Sequence, residues 1–307
     1  MPDPSAAIHW GAEALWEQLM PLLPGLSVEV VHRTMSTNTA LLERARTTPD
    51  VRAEGADVIV RRSVESGAFG RRAVDLQPCL LVAEHQSAGR GRQGRVWQSA
   101  AGASLTFSLG LPLAAADWSG LSLAVGVALA DALGAAPDDA PGPHIGLKWP
   151  NDLWLMDGPL PAAPFGRKLG GILIETVAAG GVANSKRLVI IGIGLNVLPF
   201  DAAEANTGFA SLRELDPAAS APTVLARIAL PLVQALQLFE REGFAAFAER
   251  FAARDLLRGR SVRTTLPEVP EGIARGVSAQ GALLVQSASG IASVSSGEVS
   301  VRLAADA

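Results

Sequence analysis

The chain has 307 residues, of which 49% are hydrophobic and 18% are charged. This composition excludes an intrinsically disordered chain, and the length allows one large domain and one small domain with real cores. A net charge of −4 offers no overall attraction to nucleic acids or anionic membranes, and a single cysteine excludes an intramolecular disulfide framework. Because no signal-like start or membrane-spanning run is present, we expect a cytoplasmic protein.

Hydrophobic periodicity predicts an α+β chain up to about residue 256. Alternation over residues 104–111 is typical of a strand with one apolar face, and the apolar run 121–133 is typical of a helix. Helical spacing also extends over 221–253, with breaks expected near Pro231 and Gly243. The other predicted elements are a helix at 12–20, a strand at 27–32, a helix at 39–46, a hairpin or surface excursion at 51–78, and strands at 80–83, 145–149, 153–156, 169–176 and 188–197.

From about residue 258 the pattern changes to short strands separated by tight turns. The predicted strands are 261–265, 273–277, 282–286, 291–294 and 298–302. Such spacing indicates a small all-β barrel, at the low end of the size that folds alone. The sequence therefore predicts an N-terminal extension (1–26), a main domain with a mixed sheet (27–256) and a C-terminal barrel (257–307).

A loop rich in glycine and arginine spans residues 89–97, Gly-Arg-Gly-Arg-Gln-Gly-Arg-Val-Trp. Glycine lets the backbone approach a ligand closely, and arginine offers planar donors that suit phosphates and carboxylates. We expect a loop that closes on an anion, with Trp97 as an apolar anchor. A solvated turn and an RNA-binding Gly/Arg segment are the alternatives, although RNA-binding segments usually occur as repeats. The Lys-Ser/Thr pair of a P-loop is missing.

A lysine at the end of a predicted strand begins the turn 148–152, Lys-Trp-Pro-Asn-Asp. Pro150 fixes this turn, so the position of Lys148 is well defined. Such a lysine suits the stabilisation of negative charge on a carboxylate or an α-phosphate, whereas an ordinary surface lysine is the alternative.

Two predicted strands contain glycines in their interiors, at Gly170-Gly171 and at Gly192 and Gly194. Glycine inside a strand marks either close approach of a ligand or a helix crossing, and two such strands suggest a flat floor for a ring-shaped ligand. The triplet Ser36-Thr37-Asn38 is typical of a helix cap, or supplies hydrogen bonds to a polar head group. Cys79 is interpreted as a core residue.

Five segments follow the order found in bacterial biotin protein ligases, and the chain resembles that family over about residues 33–303. They are 36–38, 89–97, 148–152, 168–175 (Lys-Leu-Gly-Gly-Ile-Leu-Ile-Glu) and 192–196 (Gly-Ile-Gly-Leu-Asn). Segments 275–276, 280–284 and 297–300 resemble the small barrel of the same family. The resemblance implies a class II aminoacyl-tRNA synthetase-like catalytic domain with a mixed β-sheet and helices, followed by an SH3-like β-barrel.

The resemblance also implies a role for individual residues. Biotin contacts are expected from Ser36, Thr37, Asn38, Gln86, Arg90, Gly91, Arg92, Lys148, Gly170 and Gly171. Contacts to ATP or the adenylate are expected from Arg92, Arg95, Trp97, Asn151, Lys168, Asn196 and Arg275. Lys148, Arg90 and Arg92 are the expected catalytic residues, and no protein ligand to a metal is expected.

The implied activity is that of an ATP-dependent ligase. Biotin and ATP, with Mg²⁺, would give biotinyl-5′-AMP, and the biotin would then pass to a lysine of the biotin carboxyl carrier protein of acetyl-CoA carboxylase or a related carboxylase. The family often carries a winged-helix DNA-binding domain. The 36–38 segment begins too early to leave room for one, and residues 1–35 hold one basic residue, Arg33, against four acidic ones. We therefore expect neither DNA nor membrane binding, and leave open whether the chain forms a homodimer.

Three other functions are compatible with parts of the pattern. A lipoate or octanoate transferase shares the fold class, but the Gly/Arg loop and the lysine turn favour biotin, and Cys79 is poorly placed for a thioester route. A ligand-sensing repressor without catalysis is disfavoured by the acidic N-terminus. A non-catalytic RNA-binding module is disfavoured by the single embedded loop and the net negative charge.

Overall fold

The computed structural model describes residues 8–46, 77–134, 142–158, 166–178, 186–200, 208–295 and 301–303. The predicted excursion at 51–78 therefore lies outside the described residues except for 77 and 78. The helices are α1 (Ala12–Leu19), α2 (Thr37–Arg46), α3 (Leu121–Leu133), α4 (Ala221–Glu242) and α5 (Ala248–Ala252). The strands are β1 (Ser27–Thr34), β2 (Cys79–Gln86), β3 (Gly89–Arg90), β4 (Val96–Trp97), β5 (Ser104–Leu113), β6 (His144–Lys148), β7 (Asp152–Met156), β8 (Arg167–Ala178), β9 (Arg187–Asn196), β10 (Ser261–Thr264), β11 (Glu271–Val277), β12 (Leu283–Ser287), β13 (Gly290–Val294) and β14 (Val301–Leu303). Short 3₁₀ helices occur at Arg92–Gly94, Leu212–Glu214 and Gly243–Phe247.

The chain divides into two compact units. The first comprises Met1–Ala114, Leu173–Phe200 and Ala219–Leu230, and its strands follow the order β1-β2-β5-β9-β8. β1 and β2 are parallel, whereas β2, β5 and β9 are antiparallel, so the predicted mixed sheet is confirmed. Helix α2 packs on this sheet through a core of buried aliphatic side chains, namely Leu41, Leu42, Ala45, Leu81, Leu188 and Ile190.

The second unit comprises Ala115–Ile172, Asp201–Ala218 and Pro231–Ala307. Here β6, β7 and the first half of β8 form antiparallel pairs, and α3 packs against β6 and β7. The C-terminal strands form an antiparallel sheet in the order β13-β12-β11-β10-β14, called the C-terminal sheet below. The unit therefore holds both the lysine turn at 148–152 and the C-terminal sheet.

Three details differ from the sequence prediction. Thr37 and Asn38 already belong to α2, because Ser36 acts as its cap: its carbonyl accepts from the Ala40 amide at 2.9 Å. α4 continues through Pro231, since burial of the aliphatic residues that follow outweighs the lost amide donor. β5 is buried on both faces, polar Thr106 and Ser108 included, and not on one face alone.

Helix α4 begins the one long apolar helical segment found among the described residues. Residues 221–252 are long and apolar enough to cross a membrane by length and composition. Buried residues such as Leu225 and Phe239 nevertheless alternate at helical spacing with exposed ones such as Arg227 and Arg241. This pattern is that of an amphipathic helix packed on a protein core. The helix ends at Glu242, because the φ of 67° at Gly243 stops the α-helical path; the sequence predicts a break near Gly243.

Residues 254–256, which lead from α5 towards the C-terminal sheet, pair with the edge strand β6. The Leu147 amide donates to the Arg254 carbonyl at 2.7 Å, and the Leu256 amide donates to the Leu147 carbonyl at 3.0 Å. The buried Arg254 guanidinium donates to the Asp131 carboxylate at 3.0 Å and to the Ile145 carbonyl at 3.1 Å. This segment is thus fixed to β6 on both sides.

Asp255 lies in this segment with its side chain 5% exposed, and burial raises its pKa to about 6, although the Leu257 amide and Arg258 favour the charged form. Because the folded-state pKa exceeds the ordinary value, folded-state stability is lost as the pH rises through about 6. We expect Asp255→Asn to raise Tm by roughly 3–6 °C at pH 8. The gain should shrink towards pH 4.5, where the native side chain is neutral. Thermal melts of both proteins from pH 4.5 to 8 measure it, and a pH-independent difference would contradict the assignment.

Candidate active site

The Gly/Arg loop forms a short β-hairpin in the first unit. β3 and β4 pair around the 3₁₀ turn Arg92–Gly94, and the Gly91 amide donates to the Arg95 carbonyl at 2.7 Å. Gln93 has a φ of 55°, a left-handed value that is uncommon for a residue with a side chain. The glycine spacing is Gly-x-Gly-x-x-Gly, but a strand and not a helix follows. The hairpin is therefore not the phosphate-binding turn of a dinucleotide fold.

Arg90 connects this hairpin to α2 and β8. Its guanidinium donates to the Glu175 carboxylate at 2.9 Å and to the Thr39 hydroxyl at 3.2 Å. The other Glu175 oxygen accepts from the Asn38 side-chain amide at 3.0 Å. Glu175 thus connects the hairpin to the Ser36-Thr37-Asn38 segment. Its ion pair also gives the half-exposed Arg90 side chain a defined position.

Ser36, Thr37 and Asn38 form a buried polar cluster at the start of α2, each 3% exposed. The Gln86 side-chain oxygen accepts from the Thr37 amide at 2.8 Å and from its hydroxyl at 3.2 Å. The Ser108 hydroxyl lies 2.6 Å from both the Thr37 hydroxyl and the Asn38 side-chain oxygen. Several hydrogen-bonding groups are therefore concentrated in an otherwise apolar interior, which suits a small polar ligand group.

The glycines of β9 leave room for the side chains of Asn38 and Trp97 to pack closely on the sheet. A β-carbon at Gly192 would collide with the Asn38 side chain, and one at Gly194 would overlap the Trp97 indole. The two glycines therefore admit side chains of the chain itself, which places the polar cluster and the indole along one strand. Among the described residues, the buried Trp97 Nε1 has no hydrogen-bond partner, and the indole packs on the backbone at Gly194. Asn196, 4% exposed, lies opposite Ser104 at the end of the same strand.

The lysine turn lies in the second unit, where Lys148 ends β6. The Lys148 ammonium donates to the Val301 carbonyl at 3.2 Å and lies 5.4 Å from the centroid of the Trp154 ring. The Asn151 side-chain amide donates to the Ile172 carbonyl at 2.8 Å, and the Asn151 carbonyl accepts from the Ile172 amide at 3.0 Å. Hydrogen bonds on both sides thus fix the turn, as the sequence predicts.

A small cleft beside this turn is lined by Lys148, Asn151, Asp152, Ser122, Leu123 and Gly126, among others. Lys168 forms an ion pair with Asp152 at 2.7 Å, and Gly171 lies next to both side chains. Gly170 pairs with Leu153 in the adjacent strand. Lys148 therefore lines the cleft, and Lys168 reaches it only through its ion pair with Asp152.

The structure places the predicted residues in two groups. The first unit holds Ser36, Thr37, Asn38, Gln86, Arg90, Gly91, Arg92, Arg95, Trp97 and Asn196, and the second holds Lys148, Asn151, Lys168, Gly170, Gly171 and Arg275. Arg275 is exposed on β11 and donates to the Gln286 side chain at 2.6 Å, so its role in nucleotide binding stays a prediction. The sequence analysis assigned no role to Ser108, Glu175 or Asp152. A serine within an apolar strand is the signal that would have found Ser108.

Comparison with known proteins gives consistent matches along the chain. A family model described as "Biotin/lipoate A/B protein ligase family" matches residues 76–196, and one described as "Biotin protein ligase C terminal domain" matches residues 258–302. The biotin–[acetyl-CoA-carboxylase] ligase of Mycobacterium tuberculosis is 34% identical over 297 residues, covering 94% of this chain and 91% of that protein. The bifunctional ligase/repressor BirA of Escherichia coli is 36% identical over 228 residues, covering 73% of this chain but 66% of that protein.

Among solved structures, biotin protein ligase from Aquifex aeolicus in complex with biotin and ATP matches with a TM-score of 0.63 and 24% sequence identity. The match covers 91% of this chain and 99% of that one. At this identity the likeness concerns the fold, and it confirms an α+β catalytic region followed by a C-terminal β domain.

Proposed function

The chain belongs to the biotin protein ligase family, and from that membership we propose that it activates biotin with ATP and transfers the biotinyl group to a carrier lysine. The observation that carries this proposal is the 34% identity over 91% of the length of a biotin–[acetyl-CoA-carboxylase] ligase. The buried polar cluster and the Gly/Arg hairpin support it, because together they offer hydrogen bonds and positive charge to a small polar acid.

Most of the proposed biotin contacts belong to the first unit. Ser36, Thr37, Asn38 and Gln86 offer donors and acceptors for the ureido group, whose N–H and C=O atoms need partners once they are buried. Arg90, Gly91 and Arg92 would close over biotin and the adenylate, and Gly170 and Gly171 would let the strand backbone approach biotin.

Lys148 is proposed to bind the biotin carboxylate and the ATP α-phosphate, where negative charge concentrates during the attack. Arg92, Arg95, Trp97, Asn151, Lys168, Asn196 and Arg275 would contact ATP or the adenylate. Mg²⁺ would arrive with ATP, bound mainly through phosphate oxygens, and would neutralise part of their charge.

The proposed reaction needs no enzyme nucleophile. The biotin carboxylate attacks the α-phosphorus and releases pyrophosphate, and the neutral amine of a carrier lysine then attacks the mixed anhydride and releases AMP. The protein contributes positioning and charge stabilisation. Cys79 does not fit a thioester route, because burial and Glu29 raise the pKa of its thiol to about 12, leaving little thiolate at neutral pH.

Biotin-dependent pyrophosphate release tests the first half of this function. The purified protein is incubated with ATP and Mg²⁺ and with biotin, lipoate or octanoate in parallel. We expect release with biotin and only background release with the other two acids. Equal or greater release with lipoate would replace the proposal with that of a lipoate ligase.

Finer features of the fold and of the partners are also proposed. The catalytic region is proposed to be class II aminoacyl-tRNA synthetase-like and the C-terminal sheet SH3-like, on the basis of the family and of the antiparallel order β13-β12-β11-β10-β14. The acceptor is proposed to be the biotin carboxyl carrier protein of acetyl-CoA carboxylase or a related carboxylase. We propose that the chain acts in the cytoplasm without binding DNA or membranes.

A further inference from the structure

Three consecutive residues around the proposed catalytic lysine are each hydrogen-bonded by the C-terminal part of the chain. Leu147 pairs with the 254–256 segment through two backbone hydrogen bonds of 2.7 and 3.0 Å. Lys148 donates to the carbonyl of Val301 on β14 at 3.2 Å, and the Trp149 indole N–H donates to the Gly281 carbonyl at 3.1 Å. The lysine turn is therefore held at three successive positions by elements that follow it by more than a hundred residues.

The Gly281 carbonyl belongs to a tight turn, residues 278–282, called the anchor turn below. The Ser278 amide donates to the Ala282 carbonyl at 2.8 Å, and the Gly281 amide donates to the Ser278 carbonyl at 2.9 Å. The Ser278 hydroxyl accepts from the amides of Gln280 and Ala282, both at 3.2 Å. Because the turn satisfies its own hydrogen bonds, it offers the Gly281 carbonyl at a fixed position.

The anchor turn is itself fixed by close packing against α3. Gly281 has a φ of 80°, and a β-carbon there would lie 2.8 Å from the Gly120 Cα and 3.2 Å from Leu123. Gly120, the cap of α3, has a φ of 77° and is itself backed by the Phe244 ring. Two glycines in contact therefore set the distance between the anchor turn and α3, and Leu123 also lines the cleft beside Lys148.

The Trp149 side chain is fully buried, so its N–H needs an acceptor inside the protein. The Gly281 carbonyl supplies that acceptor, and in doing so it orients the residue next to Lys148. The Val301 carbonyl in turn accepts from the Lys148 ammonium at 3.2 Å, so both residues are held from the C-terminal part of the chain.

From this arrangement we infer that Gly281 and Trp149 are positioning residues for Lys148, so that the C-terminal sheet acts in biotin activation through the anchor turn. The inference rests on the proposed function, because it assigns the lysine turn to adenylate formation. It predicts that a disturbance of the anchor turn changes the turnover number for adenylate formation more than it changes biotin affinity, since the lysine acts on charge that develops in the transition state.

Two glycine substitutions provide a matched pair. Gly281 and Gly259 share a φ of 80°, but a β-carbon at Gly259 meets no atom within 4 Å, whereas one at Gly281 meets Gly120. Alanine must therefore adopt the same positive φ in Gly281→Ala and Gly259→Ala, but only the former places a β-carbon against α3 and displaces the anchor turn. We expect Gly281→Ala to lower kcat for biotin-dependent pyrophosphate release about tenfold relative to Gly259→Ala, with KM for biotin within about twofold.

Trp149→Phe is the second variant, and it keeps an aromatic ring while it removes the donor to Gly281. It should show the same split, with kcat about tenfold lower and KM nearly unchanged. If either variant unfolds in thermal melts, the other carries the test. A kcat within about twofold of the Gly259→Ala value in the variant that folds would overturn the inference.

A double substitution separates positioning from a general structural effect. If the anchor turn acts through Lys148, adding Gly281→Ala to Lys148→Ala should cause no further loss of turnover, because the group being positioned is gone. A further loss of about tenfold would mean that the turn acts elsewhere and would also overturn the inference. Absence of biotin-dependent pyrophosphate release from the wild-type protein would instead refute the proposed function itself.

Discussion

Replacement of Lys148 by alanine is expected to slow formation of biotinyl-5′-AMP by about 100- to 1,000-fold, the range typical for removal of one preorganised charge-stabilising donor. Lys148 ends β6 in a turn held by Asn151 and the C-terminal sheet, so its ammonium has a defined position before ligand arrives. Alanine leaves the strand pairing of residues 144–147 with β7 in place. Single-turnover adenylate formation with saturating biotin and ATP measures this effect.

Lys186→Ala is the control for this variant, since it removes the same charge from an exposed position just before β9. It should retain near-wild-type adenylate formation. Lys148→Arg retains the charge but changes its shape and reach, and we expect it to recover only part of the rate. Near-normal adenylate formation by Lys148→Ala, in protein with an unchanged melting temperature, would exclude the proposed role.

Replacement of Arg92 by glycine is expected to let the activated intermediate escape. Arg92 begins the turn of the Gly/Arg hairpin, and its guanidinium is proposed to close over the adenylate. A hydrogen bond to a charged group contributes about 1.5–3 kcal/mol, so biotinyl-5′-AMP should dissociate roughly 10- to 100-fold faster. Rapid gel filtration of the enzyme after adenylate synthesis, followed by quantification of the retained nucleotide, measures the release.

Gln93→Gly gives a control within the same hairpin. It adds backbone freedom to the turn and keeps all three arginines of the hairpin, and glycine adopts the φ of 55° at this position without strain. If flexibility alone released the intermediate, both variants would leak. Retention by Gln93→Gly together with leakage from Arg92→Gly supports the role of the guanidinium, and unchanged retention in Arg92→Gly would reject it.

Much of the fold could be predicted because the hydrophobic periodicity and the positions of glycine and proline indicate the same element boundaries. Helix α3 matches the predicted bounds, since an apolar run between Gly120 and Gly134 leaves little choice. The break at Gly243 follows from its positive φ, whereas continuation through Pro231 depends on long-range packing that no local rule contains. Burial of the second face of β5 does not follow from the alternation, because polar residues such as Thr106 and Ser108 carry no local signal that their side of the strand is also covered.

The motifs of the site could be predicted from the sequence, but the hydrogen-bond partners of its side chains could not. The 36–38, 89–97 and 148–152 segments identified most of the candidate residues. The Glu175 carboxylate accepts hydrogen bonds from both Arg90 and Asn38, and this arrangement depends on strand register. The Gly281 carbonyl accepts from the Trp149 indole, which lies 132 positions away in the sequence. Both are consequences of tertiary structure, so neither leaves a local signal around the residues concerned.

The most direct test of the account is the mass of a biotin carboxyl carrier domain after incubation with the purified protein, ATP, Mg²⁺ and biotin. The account predicts a gain of one biotinyl group on the wild-type domain, and none when the acceptor lysine of that domain is arginine or when ATP is omitted. An unmodified carrier under these conditions, or modification by lipoate in preference to biotin, would contradict it.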